Sequence, residues 1–176
     1  MLTPAIIEAA HALVHELSAQ GKNLATVESC TGGQVGTAIT AISGSSSVYP
    51  GGVVTYSNEL KHKLVSVQES TLEAHGAVSS QTAIEMAKGG QAALGSDYAI
   101  AITGIAGPTG GTDVKPVGTV WICVAGPNQL DCRRFVFVGN RGVVRSGSVY
   151  SALIMVRQQL AGELATLPHE QEQITG

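Results

Sequence analysis

The sequence has few charged and aromatic residues, and these shortages exclude several classes of protein. Of its 176 residues only 13% are charged and 4% are aromatic, while 44% are hydrophobic. This balance argues against disorder and predicts one packed domain. The ten Lys and Arg are outnumbered by thirteen Asp and Glu, and they form no basic run. We therefore expect no binding to a nucleic-acid backbone.

Long apolar runs and regularly spaced cysteines are also missing. No apolar run is long enough for a membrane-spanning helix, so we expect no membrane association. The N-terminal stretch carries Glu8 and Glu16 and no basic leader, which predicts that there is no signal peptide. The three cysteines are an odd count without the spacing of a disulfide framework, which favours a reducing cytoplasm. His11 and His15 lack a third ligand, so no metal site is expected.

Glycine is abundant instead, and most of the 22 glycines fall at the ends of predicted elements. Apolar periodicity predicts helices over 4–20, 34–42, 58–65, 80–94 and 143–164. Strands are predicted over 24–28, 52–56, 97–103, 117–125 and 131–138, with a hairpin turn between the last two. This alternation predicts an α/β fold with a mixed sheet, in a single domain over residues 1–165. We expect the polar segment 166–176 to be a frayed tail.

The first candidate site is the turn ESCTGG, residues 28–33, between a predicted strand and a helix. Sites in open α/β sheets gather at the carboxyl ends of strands, where Ser29, Cys30 and Thr31 are expected. Gly32 and Gly33 allow a ligand to approach the backbone, and the helix start offers N–H groups to an anion or oxyanion. A capped helix behind a tight turn is the structural alternative, and the pattern does not decide between them.

The second candidate site is TYSNELK, residues 55–61, at another exit from a strand into a helix. Tyr56, Asn58 and Lys61 converge if the helix turns back over the strand end. A lysine acts as a general base only where its ammonium is desolvated, and the pattern alone favours a solvated surface residue for Lys61. A Cys30 thiol with His62 or His75 as its base is a further alternative that no spacing favours.

Two weaker features follow along the chain. The glycine-rich loop over 104–116 comes directly after Thr103 and begins with Gly104, and it matches neither the Walker loop nor the dinucleotide fingerprint. Arg141 and Arg145 lie four residues apart and can bind phosphate or carboxylate bidentately. An ordinary long turn is a fair alternative for the loop, and the pattern alone favours a surface position without ligand contact for the two arginines.

Together these segments resemble a known family. Residues 28–33, 54–58 with Lys61, 103–108 and 115–118 are similar to the C-terminal domain of the competence-damage protein CinA, and the similarity runs from about residue 5 to 162. The domain that precedes it in longer CinA proteins is not found here, so the chain resembles the free-standing, PncC-type members. The resemblance implies a three-layer α/β/α sandwich that assembles as a homodimer in the cytoplasm.

The resemblance also implies an activity, hydrolysis of nicotinamide mononucleotide to nicotinate mononucleotide and ammonia, without cofactor or metal. It implies a Ser29 nucleophile, a Lys61 base and a neighbouring Tyr56. The expected binding residues, some from the resemblance and some from the patterns above, are Thr31, Gly32, Gly33, Ser46, Asn58, Thr103, Gly104, Arg141 and Arg145. The chain departs from the family at Asn140, where an aspartate is common. The alternative function is an inactive domain of the same fold that senses a nucleotide or binds a partner.

Overall fold

The computed structural model describes residues 2–163 and 172–175, and a sheet of six strands runs through the middle of these residues. The strands are β1 (Leu24–Glu28), β2 (Gly51–Val54), β3 (Tyr98–Gly104), β4 (Thr119–Ala125), β5 (Leu130–Val138) and β6 (Glu172–Thr175). They lie in the order β2-β1-β3-β4-β5-β6. The strands β1, β2 and β3 are parallel, β4 is antiparallel to both of its neighbours, and β6 is parallel to β5. The predicted mixed sheet is therefore confirmed.

Helices cover both faces of the sheet. They are α1 (Pro4–Ala19), α2 (Gln34–Thr40), α3 (Asn58–Val65), α4 (Glu69–His75), α5 (Ser80–Leu94) and α6 (Arg141–Leu160). The helices α1, α2 and α6 contact one another on one face, and α3 and α4 contact α5 on the other. This arrangement confirms the three-layer α/β/α sandwich.

Two apolar cores stabilise the sandwich, one under each layer of helices. The larger core joins α1 and α6 to one face of the sheet, with Leu13, Ile100 and Leu153 fully buried. The smaller core lies beneath α5 and contains Val27, Val65, Met86 and Ala101. All residues of β3 except its last are buried, as its continuous apolar run predicts for a strand covered on both faces.

Most element boundaries follow the local signals in the sequence. The side chains of Thr3 and Ser79 cap α1 and α5 by accepting N–H bonds from the first turn. The last helix instead begins two residues earlier than expected, because Asn140 caps it. Residues 69–75 form the short helix α4, which is not among the predicted helices, and β2 ends at Val54 instead of Tyr56.

Two expectations about cysteines and the tail need correction. Cys123 and Cys132 are direct partners on β4 and β5, with Cα atoms 4.0 Å apart, and form a disulfide. Strand register brings them together, so the cysteine count gives no support for a reducing cytoplasm. Residues 172–175 are paired with β5 rather than frayed, and the rest of the predicted tail from 166 onwards lies outside the described residues. Within the described part of the chain, no helix has the length and apolar character needed to cross a membrane.

Candidate active site

The carboxyl ends of the three parallel strands meet at one edge of the sheet. Glu28, the last residue of β1, is in register with Val54 of β2 and with Ile102 of β3. Ser29 therefore leaves β1 beside the point where residues 55 and 56 leave β2. This edge is where the sequence patterns predict a site, and its polar side chains belong to three different elements.

Lys61 and Ser29 meet at this edge. The Lys61 Nζ lies 3.2 Å from the Ser29 Oγ, and the side chains are almost entirely buried, with 1% and 8% exposure. The side chain of Ser57 caps α3, so the helix begins directly after β2 and its first turn carries Lys61 back over the end of the strand. The surface position that the pattern alone favours for Lys61 is therefore wrong.

Burial makes the neutral amine of Lys61 more accessible than it is for a lysine in water. Its Nζ donates to the Thr55 carbonyl oxygen at 2.8 Å, with the Tyr56 carbonyl oxygen at 3.5 Å. Among the described residues it forms no salt bridge with a carboxylate. Because burial disfavours the ammonium, the pKa of Lys61 lies below its usual value of 10.5. In its neutral form this lysine can accept the proton of an adjacent hydroxyl.

Cys30 is not suited to the role of nucleophile. Its side chain is buried, and burial is the main cause that raises the pKa of its thiol to about 11. The thiolate, which is the reactive form, is therefore scarce near neutral pH. His62, one of the alternative bases for this thiol, has its Nδ1 2.9 Å from the Val67 carbonyl oxygen. The geometry supports the serine and not the thiol.

The glycine-rich turn offers fewer N–H groups than expected. The Gly33 N–H donates to the Glu28 carboxylate at 3.0 Å, and the Gly32 N–H donates to the Ser29 carbonyl oxygen at 3.0 Å. Gly32 and Gly33 are therefore unavailable to an oxyanion, contrary to the prediction. The backbone N–H groups of Cys30 and Thr31 donate to no oxygen among the described residues, and the Cys30 N–H contacts the sulfur of its own side chain, which is a weak acceptor. These two are therefore the donors left beside Ser29.

Tyr56 and Arg141 are hydrogen-bonded to each other beside the site. The Tyr56 side chain is 61% exposed, and its hydroxyl accepts a hydrogen bond from the Arg141 Nη2 at 3.2 Å. The Arg141 Nη1 donates to the Gly107 carbonyl oxygen at 2.9 Å, so this arginine joins α6 to the long loop after β3. In this geometry the Tyr56 hydroxyl is bonded to Arg141 and not to Lys61.

Arg145 approaches the same turn from α6. Its Nη2 donates to the Thr31 carbonyl oxygen at 2.7 Å, while its buried Nε and the buried Thr31 Oγ1 have no protein partner among the described residues. Asn140 accepts the N–H groups of Gly142 and Val143 as the cap of α6. The departure from aspartate at this position therefore affects a helix cap, and the bonds of Arg145 do not depend on it.

Three other predicted residues lie near this edge in different roles. The buried Thr103 Oγ1 donates to the Ala77 carbonyl oxygen at 2.7 Å and so ties β3 to the loop before α5. Gly104 is needed because a Cβ there would overlap the backbone at Thr119. Asn58 is exposed at the start of α3.

Ser46 does not lie at the same edge of the sheet as the other predicted site residues. It lies in the short 3₁₀ helix Ser45–Ser47, and the neighbouring Val48 carbonyl oxygen accepts the N–H of Leu24 at the start of β1. This is the end of the sheet opposite Ser29. Within the described residues, no three His, Cys, Asp or Glu side chains are grouped so that they could hold a metal ion.

Two contributors to the site were missed by sequence reasoning. The Thr55 carbonyl oxygen holds the lysine, and the Glu28 carboxylate binds three N–H groups around the following turn. A carboxylate directly before a glycine turn and a helix start is a capping signal that could have identified Glu28. No side-chain pattern could have indicated a backbone carbonyl.

Comparison with known proteins gives consistent matches over most of the chain. The family model described as the CinA C-terminal domain matches residues 7–160. An Escherichia coli (strain K12) protein named nicotinamide-nucleotide amidohydrolase PncC is 48% identical over 144 residues, which cover 81% of this chain and 87% of that protein. A Synechococcus CinA-like protein is 47% identical over 153 residues, or 86% of this chain, and the match spans 37% of its own length.

Solved structures agree with these sequence matches. The crystal structure of a competence/damage inducible protein from Agrobacterium tumefaciens has a TM-score of 0.88 and 37% identity, and the match covers 92% of this chain and 98% of that one. A CinA superfamily protein from Escherichia coli has a TM-score of 0.85 and 36% identity, with 90% and 94% covered. The shared fold, the extent of the family match and the identities together show that the chain belongs to the CinA C-terminal domain family.

Proposed function

We propose that this protein is an amidohydrolase that converts nicotinamide mononucleotide and water to nicotinate mononucleotide and ammonia. The observation that carries the proposal is a buried lysine amine 3.2 Å from a serine hydroxyl, at the carboxyl edge of the parallel strands. The Escherichia coli relative named for this activity, 48% identical to the chain, supports the choice of substrate.

In the first step, Ser29 attacks the carboxamide carbon while the neutral Lys61 amine takes the proton of its hydroxyl. The carboxamide oxygen becomes an oxyanion, for which the backbone N–H groups of Cys30 and Thr31 are the donors. One such donor typically lowers the barrier by about 3–4 kcal/mol. The resulting Lys61 ammonium is stabilised by the Thr55 carbonyl oxygen, which already accepts its hydrogen bond at 2.8 Å.

In the second step, the Lys61 ammonium gives its proton to the amide nitrogen as the carbon–nitrogen bond breaks. Ammonia leaves, and the acyl group remains as an ester on the Ser29 oxygen. A water molecule then attacks the ester carbon while Lys61 takes one of its protons. The ester bond breaks, and Ser29 recovers a proton from Lys61, so that one water is consumed for each ammonia released.

The substrate phosphate is bound, in this proposal, by Arg145 and Arg141 at the start of α6. Arg145 lies beside the turn after Ser29, and its buried Nε has no protein partner among the described residues. Arginine suits this role because its planar guanidinium binds phosphate oxygens bidentately.

The phosphate contact can be tested by comparing two substrates. Arg145→Gln should lower kcat/KM for nicotinamide mononucleotide, with the larger part of the change in KM. It should have little effect on nicotinamide riboside, which lacks the phosphate, because the interaction that is removed does not exist there. Equal losses on both substrates would show that Arg145 supports the turn instead of the phosphate.

The activity itself is tested by measuring ammonia release from nicotinamide mononucleotide by the purified protein. Ser29→Ala and Lys61→Ala should each abolish kcat with little change in substrate binding. Lys63→Ala is the matched control, since Lys63 lies on the same helix but is exposed and pairs with Glu59. A full rate for Ser29→Ala would show that Ser29 is not the nucleophile. Binding of the nucleotide without any ammonia release would favour the inactive, sensing alternative.

A further inference from the structure

Glu28, directly before Ser29, is buried with 1% exposure, and within the described residues every hydrogen bond of its carboxylate comes from a backbone amide. Its Oε2 accepts the N–H groups of Gly33 at 3.0 Å and Val35 at 3.1 Å. Its Oε1 accepts the N–H of Gly36 at 2.9 Å. The Glu28 side chain therefore connects the end of β1, directly before Ser29, to the start of α2.

These bonds determine which amides remain at the turn between β1 and α2. The Gly32 N–H is used by the Ser29 carbonyl oxygen, and the Glu28 carboxylate occupies Gly33 and two amides in the first turn of α2. The amides of Cys30 and Thr31 are left without an oxygen acceptor among the described residues. The carboxylate also neutralises the positive end of the α2 dipole, which makes that helix start unattractive to a substrate anion.

We propose that Glu28 is a positioning residue for acyl transfer at Ser29. It holds the turn in the shape that presents the Cys30 and Thr31 amides to the oxyanion, and it directs the substrate phosphate away from α2 and towards α6. The inference rests on the proposed function, because it assigns a role within the same reaction. Glu28 itself does not reach the substrate, since its carboxylate is covered by the amides that it binds.

If Glu28 only capped α2, its substitution would affect stability and not the reaction. The test therefore compares Glu28→Gln with Thr37→Val, a second variant at the same turn. Glu28→Gln keeps the size of the side chain but replaces one acceptor oxygen with an NH₂ group. Thr37→Val is the control, because it removes a bond from Thr37 Oγ1 to the Gly33 carbonyl oxygen and leaves the amides in place. We expect Glu28→Gln to lower kcat by about tenfold or more while KM changes by less than about threefold. Thr37→Val should keep a rate close to that of the wild-type protein.

A second measurement does not depend on the natural substrate. An alkyl fluorophosphonate reacts with an activated serine: the Ser29 oxygen bonds to phosphorus, the phosphorus–fluorine bond breaks, and fluoride leaves with the electron pair. The hydroxyl proton passes to Lys61. The phosphoryl oxygen takes the position of the oxyanion, so the labelling rate, followed by intact mass spectrometry, reports the same two amides. We expect Glu28→Gln to be labelled about tenfold more slowly than Thr37→Val, and Ser29→Ala not to be labelled.

The outcomes separate this inference from the proposed function. If Glu28→Gln lowers the melting temperature but keeps the kcat and labelling rate of Thr37→Val, Glu28 is only a cap and the inference is wrong. If the wild-type protein releases no ammonia but is labelled at a rate that depends on Glu28, the proposed substrate is wrong and the positioning role stands. If Ser29 of the wild-type protein is not labelled, both are wrong. Should Glu28→Gln fail to fold, Glu28→Asp, which is charged but too short for all three amides, takes its place.

Discussion

At the scale of single residues, the chemistry depends on the protonation state of Lys61. Burial removes the water that stabilises an ammonium, while the partners that replace it are carbonyl and hydroxyl oxygens without a full negative charge. The same feature that makes the lysine a base therefore lowers the stability of the fold near neutral pH. This coupling gives a pH dependence with a definite sign.

Replacing Lys61 with methionine should expose this pH dependence. Between the lowered pKa of the folded protein and the usual value of 10.5, unfolding takes up a proton at Lys61, so wild-type stability rises with pH in this range. Lys61→Met lacks this contribution. The free energy of unfolding of the wild type relative to the variant should therefore increase towards alkaline pH, by at most about 1.4 kcal/mol per pH unit. Urea unfolding of both proteins at several pH values measures it, and a constant difference would contradict a lowered pKa.

The Cys30 thiol should contribute nothing to the reaction, although it is next to Ser29. Because burial raises its pKa to about 11, it should resist alkylation by iodoacetamide at neutral pH in the folded protein. We expect Cys30→Ala to keep its kcat within about twofold and to lose about 1 kcal/mol of stability from the smaller buried side chain. Ammonia release and mass spectrometry of the Cys30 peptide test this. Inactivation that follows alkylation of Cys30 would reopen the thiol alternative.

At the scale of elements, local signals in the sequence predict much of the fold. The bounds of β1, α3 and α5 agree with prediction because each is delimited by a cap, a turn or a glycine that acts within a few residues. Apolar periodicity predicts the start of α6 two residues late, because it does not take account of the cap that Asn140 provides. The bounds of β2 differ from the prediction by one residue at its start and two at its end. It is an edge strand with one neighbour, and its pattern continues into residues that leave the sheet.

Asn140 provides a test of whether the cap or an arginine contact matters at this position. Asn140→Ala should destabilise the protein by about 1 kcal/mol, because two amides of α6 lose their acceptor. Asn140→Asp should be neutral or stabilise by about 0.3–1 kcal/mol through the helix dipole. Thermal unfolding measures both effects. The KM of Asn140→Asp for nicotinamide mononucleotide should remain close to the wild-type value, and a large decrease would mean that an aspartate here orients Arg141 or Arg145 after all.

At the scale of the whole molecule, the site is formed by segments that are distant in sequence, and this limits what sequence reasoning can predict. The meeting of Ser29 with Lys61 follows from parallel strand order, which the β-α alternation indicates. One fact required the three-dimensional structure, namely that Ser46 lies at the opposite end of the sheet. It depends on where the far end of an element lies, and residue patterns do not contain this information. The Glu28 carboxylate, which occupies the Gly33 amide expected for the oxyanion, acts within a few residues, so its capping signal was present in the sequence.

The same long-range dependence predicts that a residue outside the site controls the separation of Ser29 and Lys61. Gly89 lies in the middle of α5, where a Cβ would overlap the Val65 carbonyl oxygen at the end of α3. An alanine in a helix normally stabilises it by about 1 kcal/mol relative to glycine, but Gly89→Ala should push α3 outwards and destabilise the protein. Because α3 carries Lys61, kcat should fall as well.

A second variant that is also destabilised, but in which α3 is undisturbed, separates the effect of α3 on kcat from a general loss of stability. Ala93→Gly weakens the same helix by about 1 kcal/mol at an exposed position, so it should lower the melting temperature and leave kcat unchanged. Thermal unfolding and ammonia release, measured on both variants well below their melting temperatures, give the comparison. A loss of kcat in Gly89→Ala beyond that in Ala93→Gly would show that the packing of α5 against α3 maintains the serine–lysine distance. Equal rates would show that α3 is held in place from the sheet side alone, through the hydrogen bond of Lys61 to Thr55 and the capping of α3 by Ser57.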